Sequence, residues 1–347
     1  MKLAYRAIKH LFPFALLLIV TATSVYAQDQ SKFNKQADKL QQHLKNDFFS
    51  LSFLVQGLAD FRPERVAGHN GFNINYGRFK LSGIFDNKFG YNLQATMLKS
   101  PSVIDANIYF KPISNLSIKT GLFKSPFTHE YLTGASSILF IDRSVVVNQL
   151  GTKRQLGIQV DTYTSNQRFR FTGGVFNGNN YGGNNNADGH FQYIGRAEAY
   201  LGQNSTSTAK VGVSISHEQK DTPATSGNLQ STFQGKQTLI GSYFSINQNK
   251  LLLDGEIIYG WMESPNDQEY NPYGYYFTAG YDVTPVSQLL LRWDSFSGES
   301  LTGDMDSIVA GFNYVPNKFT KLKLNYILPT DRAAEYSNFL AAIQIGF

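Results

Sequence analysis

From Phe48 onward, apolar and polar residues alternate with a period of two. In residues 89–98, FGYNLQATML, one face carries Phe89, Tyr91, Leu93, Ala95 and Met97, and the other carries Asn92, Gln94 and Thr96. That alternation is the mark of a strand with one apolar and one polar face. It returns in residues 115–122 (NLSIKTGL), 208–216 (TAKVGVSIS) and 273–283 (YGYYFTAGYDV). Each run is about 10 residues long, the length a tilted strand needs to cross the hydrocarbon of a bilayer. Tracing such runs from Phe48 to Phe347 predicts about 16 strands. Short connections such as Asp86-Asn87-Lys88, Thr284-Pro285-Val286 and Pro316-Asn317 alternate with long polar ones such as 178–189 and 218–234. The expected fold class is all-β: a transmembrane antiparallel β-barrel with short periplasmic turns, long outer loops and both ends on the short-turn side. A large soluble β-sandwich is the competing fold, but the outward sets are too many and too aromatic for one shared core.

The first 47 residues lack this rhythm. Lys2, Arg6 and Lys9 precede a short apolar stretch, Leu11 to Val20, and Val25-Tyr26-Ala27 offers small residues around a bulky one. This predicts a secretory signal over 1–27, cleaved after Ala27. The stretch falls well short of the roughly 20 residues a spanning helix needs. Residues 28–47 are polar and predict a short periplasmic arm. They carry too few apolar positions for a trimerisation coil. The barrel is expected over 48–347. The last strand runs through Ile343 and Ile345 to Phe347, and that ending resembles the assembly signal of outer-membrane barrels, so barrel-assembly machinery is an expected partner.

Composition sharpens this picture. The chain has 27 Phe and 20 Tyr, yet its mean hydropathy is only −0.26. Abundant aromatics without long apolar runs suit strands that face lipid on one side and water on the other, ringed by aromatic girdles. Lys2, Arg6 and Lys9 account for three units of the formal net charge of +5, so the basic pI of about 9.0 comes largely from the signal. The remaining excess gives no case for nucleic acid as a partner. There are no cysteines, which removes thiol catalysis and Cys-ligated metal sites.

Three pieces of the chain are similar to the phosphate-selective porin O/P family: YGRFKLSGIFDNKFGYNLQ (76–94), VIDANIYFKP (103–112) and GLFKSPFTHEYLTGASSILFIDRS (121–144). The resemblance covers roughly a quarter of the chain. Elsewhere only the strand rhythm and a late Arg292-Trp293-Asp294 strand agree. It implies an outer-membrane porin of sixteen strands, a homotrimer, with one loop folded into the pore and a preference for anions, phosphate being the candidate solute. Passive diffusion of small hydrophilic solutes through the outer membrane of a Gram-negative bacterium is the expected function.

Parity places Arg78, Lys80, Lys111 and Lys119 on lumen faces, with Asp105 as a counter-charge. Arg168, Arg170, Arg196, Lys210, Arg292, Lys321 and Lys323 follow the same logic, as do the acids Asp161, Glu198, Asp254, Glu256 and Asp294. Two readings stay open: the charges pair and hydrate a wet lumen, or they form an anion filter. Segment 123–153 bears on the choice. It breaks the alternation, contains Pro126, Gly134 and Gly151, and is unusually apolar for an exposed loop, with Phe127, Tyr131, Leu132, Ile138 to Ile141 and Val145 to Val147. It predicts a constriction loop that brings Lys124 and Arg143 to the basic wall, with an ion pair or anion relieving the crowd. A loop packed over the barrel mouth, or against a neighbouring subunit, is the alternative.

Catalysis has little to stand on. Of six His, none shows metal-ligand spacing or a nucleophile context. The expectation is no enzyme, no cofactor and no metal. A barrel enzyme and a channel for specific organic or hydrophobic substrates are the alternatives. The second would need an apolar lumen, whereas Asn73, Asn92, Gln94, Thr96 and Gln159 predict a polar one. An energy-coupled receptor would need a plug, for which residues 28–47 are too short.

Overall fold

The computed structural model describes residues 48–347 apart from 64–68, 99, 179–184 and 205–206, together with residues 38, 39, 42, 44 and 45. The expected signal, 1–27, and most of the expected arm, 28–47, lie outside the described residues.

Seventeen strands are present among the described residues. They are β1 (Ser50–Phe61), β2 (Gly71–Ile84), β3 (Phe89–Thr96), β4 (Ser102–Ile113), β5 (Leu116–Lys124) and β6 (Arg154–Tyr163). Next come β7 (Phe169–Phe176), β8 (Gln192–Asn204), β9 (Ser207–Lys220), β10 (Gly235–Gln248), β11 (Leu251–Glu263) and β12 (Glu269–Tyr270). The chain finishes with β13 (Tyr273–Thr284), β14 (Ser287–Ser297), β15 (Met305–Asn317), β16 (Thr320–Pro329) and β17 (Asn338–Gly346). The two-residue β12 pairs only with the end of β11, inside a loop. The other sixteen form the wall. Each pairs antiparallel with its neighbours in sequence, and β17 pairs with β1 from Leu54↔Gly346 to Phe61↔Phe339. That seam closes the barrel and leaves no open sheet edge, the condition for a sheet to stand in lipid.

The short turns work as their residues suggest. Asn87 and Asn249 take left-handed φ of 64° and 54°, which asparagine tolerates. The Asp86 carboxylate accepts from the N–H of Lys88 and Phe89, closing the β2–β3 turn. Pro316-Asn317, expected as a turn, instead ends β15, and the turn falls at Lys318-Phe319. The ladder slips between Tyr314 and Asn317, and this irregularity carries a proline whose missing N–H a regular ladder would need.

Outward side chains form the apolar band. Ile343 and Ile345 are half exposed on β17, as are Trp261 and Trp293 on β11 and β14. Phe85, Phe89, Phe169 and Tyr281 ring the short-turn end, and Phe61, Phe72, Tyr193 and Tyr273 the opposite end. Strict parity fails at bulges. Phe72 and Phe79 both face outward despite opposite parity, because the β1–β2 register shifts between Gln56 and Gly57. Val103 and Ile108 do the same across the β3–β4 shift between Gln94 and Ala95. A bulge adds one residue and so resets which face a side chain takes.

Candidate functional site

The segment between β5 and β6 folds into the lumen. It carries α1 (His129–Leu132) and α2 (Val145–Leu150), two short turns of helix. Ser144 caps α2 by accepting from the Val147 N–H. Loop backbone meets lumen side chains all the way across. The Arg196 guanidinium donates to the Phe127 carbonyl (2.7 Å), and the Glu256 carboxylate accepts from the N–H of His129 (2.7 Å) and Glu130 (3.1 Å). Asp294 accepts from the Val145 N–H. Asn325 accepts from the Ile141 N–H (2.7 Å), and Lys323, fully buried, donates to the carbonyls of Ile138 (2.6 Å) and Phe140 (3.0 Å). Lys321 and Gln344 both donate to the Ser136 carbonyl. A loop has no sheet to satisfy its backbone, so the polar lumen wall does it.

The apolar residues of the loop fill one side of the bore. Phe127, Val146, Val147 and Leu150 are fully buried against Phe176, Ile194, Leu239, Ile258, Met262 and Phe296 of the wall, and Leu229 and Phe233 close over them from α3 (Leu229–Thr232) and its flank. Each such side chain contributes about 2 kcal/mol by leaving water. Two glycines make the approach possible. A Cβ on Gly274 would lie 2.9 Å from Val146, and one on Gly311 would lie 2.8 Å from the Phe140 ring.

With that side filled, the open space lies against β1 to β5 and the start of β16. A cavity of about 760 Å³ runs there between the wall and residues 132–137 of the loop. Arg78, Lys80, Asp105, Lys119, Lys124 and Arg154 all line it, with Asn92 and Gln94 between them. Arg78 lies over the Tyr76 ring (4.4 Å) and Lys119 over Phe123 (4.2 Å). Lys124 donates to the carbonyls of Tyr131 (2.6 Å) and Thr133 (2.9 Å), and Arg143 donates to that same Thr133 oxygen (3.1 Å). Asp105 grips Arg154 through both oxygens, at 3.0 and 3.1 Å. A second cavity of about 580 Å³ lies across the loop, lined by His129, Lys210, Asp254 and Tyr276 among others.

The structure brings Arg78, Lys80, Lys119, Lys124 and Asp105 together around this cavity, with Arg143 beside Lys124 on the Thr133 carbonyl, but not Lys111. Lys111 is exposed near the β4–β5 turn, 5.3 Å from the Tyr109 ring, and does not line the cavity. Asp142, beside Arg143 in the loop, has an exposed side chain, and its carbonyl accepts from Arg292 (3.4 Å). The relieving pair is Arg154–Asp105.

Arg154 and Lys153 escaped the sequence reading for a physical reason. Alternation along β6 puts Arg154 on the side of Ile158 and Val160, which face outward. Where β5 and β6 lead into the loop, that alternation ends, and Arg154 and its partner Lys124 both reach the lumen. Lys153 donates to the carbonyls of Val147 and Asn148 at the end of α2, the favourable pole of a helix for a cation. Burial, with Arg143 beside it, lowers the Lys153 ammonium to about 8. Burial pushes the Glu130 carboxyl up, against the pull of Arg292 and the Ser144 N–H. Burial likewise lowers His129, against its bond to Asp254.

The two readings of the lumen charges apply to different regions. From β6 to β14 the arginines pair: Arg170 with Asp161 (2.6 Å), Arg196 with Glu198 (3.1 Å), and Arg292 with Asp294 (3.2 Å) and Glu130 (3.3 Å). Around the larger cavity, basic side chains outnumber the single carboxylate side chain of the lining, Asp105.

Comparison with known proteins agrees with this architecture. The family model of phosphate-selective porin O and P matches residues 56–339. No curated protein sequence matches the chain. Among solved structures, the fold is similar to an anion-selective porin from Comamonas acidovorans, with TM-score 0.65 and 15% identity over 86% of this chain and 99% of that one. It is similar to the outer-membrane channel DcaP of Acinetobacter baumannii, with TM-score 0.61 and 11% identity over 86% and 97%. It is also similar to the trimer form of OmpT from Vibrio cholerae, with TM-score 0.59 and 10% identity over 86% and 99%. Closed barrel, inserted loop and family match together make this chain an outer-membrane porin that belongs to the phosphate-selective porin O and P family.

Proposed function

We propose that this porin passes small hydrophilic anions, phosphate among them, through the passage beside the inserted loop. The observation that carries the reading is the charge balance there: Arg78, Lys80, Lys119, Lys124 and Arg154 line one cavity with Asp105 as its lining carboxylate. Cations clustered in a narrow, partly dehydrated passage draw anions more strongly than the same charges on an open surface. The family is described as phosphate-selective, and the Comamonas protein as anion-selective, which supports the same reading. The polar lining, with Asn92 and Gln94, disfavours an apolar substrate. The Vibrio protein is described as a trimer, which supports a homotrimer here. In this reading residues 1–27 are removed after Ala27, residues 28–47 form the periplasmic arm, and Phe347 engages the assembly machinery.

Reversal potentials in a potassium chloride gradient, with phosphate as a second anion, test the reading. Lys124 is a poor choice for charge reversal, since its ammonium also holds loop carbonyls. Lys80→Glu with Lys119→Glu changes wall charge alone. The double variant should lose roughly tenfold in anion-to-cation permeability at low salt, and much less at 1 M salt, where screening acts within about 3 Å. A double variant that keeps the parent preference at low salt overturns the reading.

A further inference from the structure

Tyr131 occupies an unusual place in the cation cluster. Its ring centroid lies 5.2 Å from the Lys124 ammonium, 5.1 Å from the Arg143 guanidinium carbon and 5.2 Å from the Lys153 ammonium. Its hydroxyl accepts from Arg154 at 3.4 Å, and its own carbonyl accepts from Lys124. Four cations from three segments of the chain thus meet around one aromatic side chain. Lys124 closes β5, Arg143 and Lys153 belong to the loop, and Arg154 opens β6.

Like charges at this spacing repel one another. Arg154 is offset by Asp105. Lys124, Arg143 and Lys153 hydrogen-bond to backbone carbonyls instead: Lys124 to Tyr131, Leu132 and Thr133, Arg143 to Glu130 and Thr133, and Lys153 to Val147 and Asn148. The loop carboxylate Glu130 is already bound to Arg292 and to the Ser144 N–H. A carboxylate at the centre would hold the cations together but cancel their field. An aromatic ring attracts cations through its quadrupole and adds no net charge. It can gather them and leave their positive potential facing the passage.

We infer that Tyr131 is a positioning residue for selectivity: its ring gathers Lys124, Arg143 and Lys153 into one cluster beside the larger cavity, which Lys124 and Arg154 line. The inference rests on the anion reading above. Tyr131 is half-buried and also packs against the apolar plug formed by Phe127, Val146 and Leu150. Its replacement must therefore separate packing from the π face. Leucine keeps an apolar contact and removes the ring. Phenylalanine keeps the ring and removes only the long bond to Arg154.

The experiment measures reversal potential in dilute potassium chloride and conductance in concentrated salt, on folded protein in planar bilayers. Tyr131→Leu should lower the anion-to-cation permeability ratio about threefold, with Tyr131→Met as a second apolar replacement in case leucine impairs folding. Tyr131→Phe should keep most of the ratio. Conductance in concentrated salt should change little in any of them, because a merely structural role would widen or block the passage and move conductance with selectivity. A selective parent whose Tyr131→Leu and Tyr131→Met variants keep its ratio overturns this inference and leaves the anion reading standing. So does a phenylalanine variant that falls as far as leucine, which would assign the effect to the hydroxyl. A parent with no anion preference overturns both.

Discussion

Lys153 shows what the loop does to a single group. Its ammonium is buried beside Arg143, and both effects disfavour the charged form, so it loses its proton at about 8 rather than near the usual lysine value of 10.5. The sign follows directly. Below pH 8 Lys153 is charged and adds to the positive cluster, and above it the charge is gone. Anion preference should therefore fall as pH rises through about 8, well before ordinary lysines titrate. Reversal potentials taken from pH 6 to 9.5 should show the step, and Lys153→Arg, which stays charged throughout, should abolish it. A flat profile across that range would place Lys153 outside the selective region. None of this was legible from spacing. Lys153 looks like one more loop residue in the sequence, and its neighbour Arg154 sits on the wrong parity for a lumen group.

Among the elements, the inserted loop depends on the wall it crosses. Its insertion could be expected from its composition, since so many apolar residues do not stay in water cheaply. Its anchors could not. Lys323 reads by parity as one more basic wall residue, yet it is fully buried and both of its bonds go to loop carbonyls. A charged donor is worth more to a buried carbonyl than a neutral one, and removing it leaves both oxygens unpaired. Lys323→Met should weaken the anchor by about 2 kcal/mol and let residues 138–140 leave the wall. Single-channel recordings should then show fluctuating open levels where the parent is steady. Recordings as quiet as the parent's would mean that Asn325, Asn313, which donates to the Leu139 carbonyl (3.0 Å), and the apolar plug hold the loop without it. Gly274 and Gly311 belong to the same scale. The sequence shows them as glycines in strands, and only the packed loop explains why a larger residue would strike Val146 or Phe140.

For the whole molecule, the closing seam is the vulnerable step. Phe347 exchanges both backbone bonds with Phe53, at 3.1 and 3.2 Å, and its ring meets Phe53 edge-on at 4.4 Å and Phe319 at 6.2 Å. These contacts tie the last strand to the first and to the preceding turn. Deleting Phe347 should reduce the amount of folded, heat-modifiable barrel in the membrane, because it removes the last ties of the seam; the residue also lines the larger cavity, so the readout is folded level rather than conductance. Normal folded levels, judged by the mobility of unboiled samples on gels, would show that the seam closes without it.

The sequence by itself determined the barrel. A period of two, repeated in runs of spanning length, leaves a chain few other ways to satisfy its backbone in lipid, and each short turn carries residues that suit one. It also determined which side chains line the bore, except at bulges, where an inserted residue resets the faces without any change in the local pattern, and at Lys124 and Arg154, where β5 and β6 lead into the loop. It singled out most of the cation cluster, because Arg78, Lys80 and Lys119 need only parity, and Lys124 and Arg143 only a loop that turns inward. Tertiary structure decided the rest. Which lumen charges pair and which stay unbalanced depends on distances between strands far apart in sequence, such as Asp105 to Arg154. Which half of the bore stays open depends on where the apolar part of the loop finds its wall. Alternation records only the face on which a residue lies. Charge balance and the path of the pore arise from contacts across the barrel, and these exist only once the seam between β1 and β17 has closed.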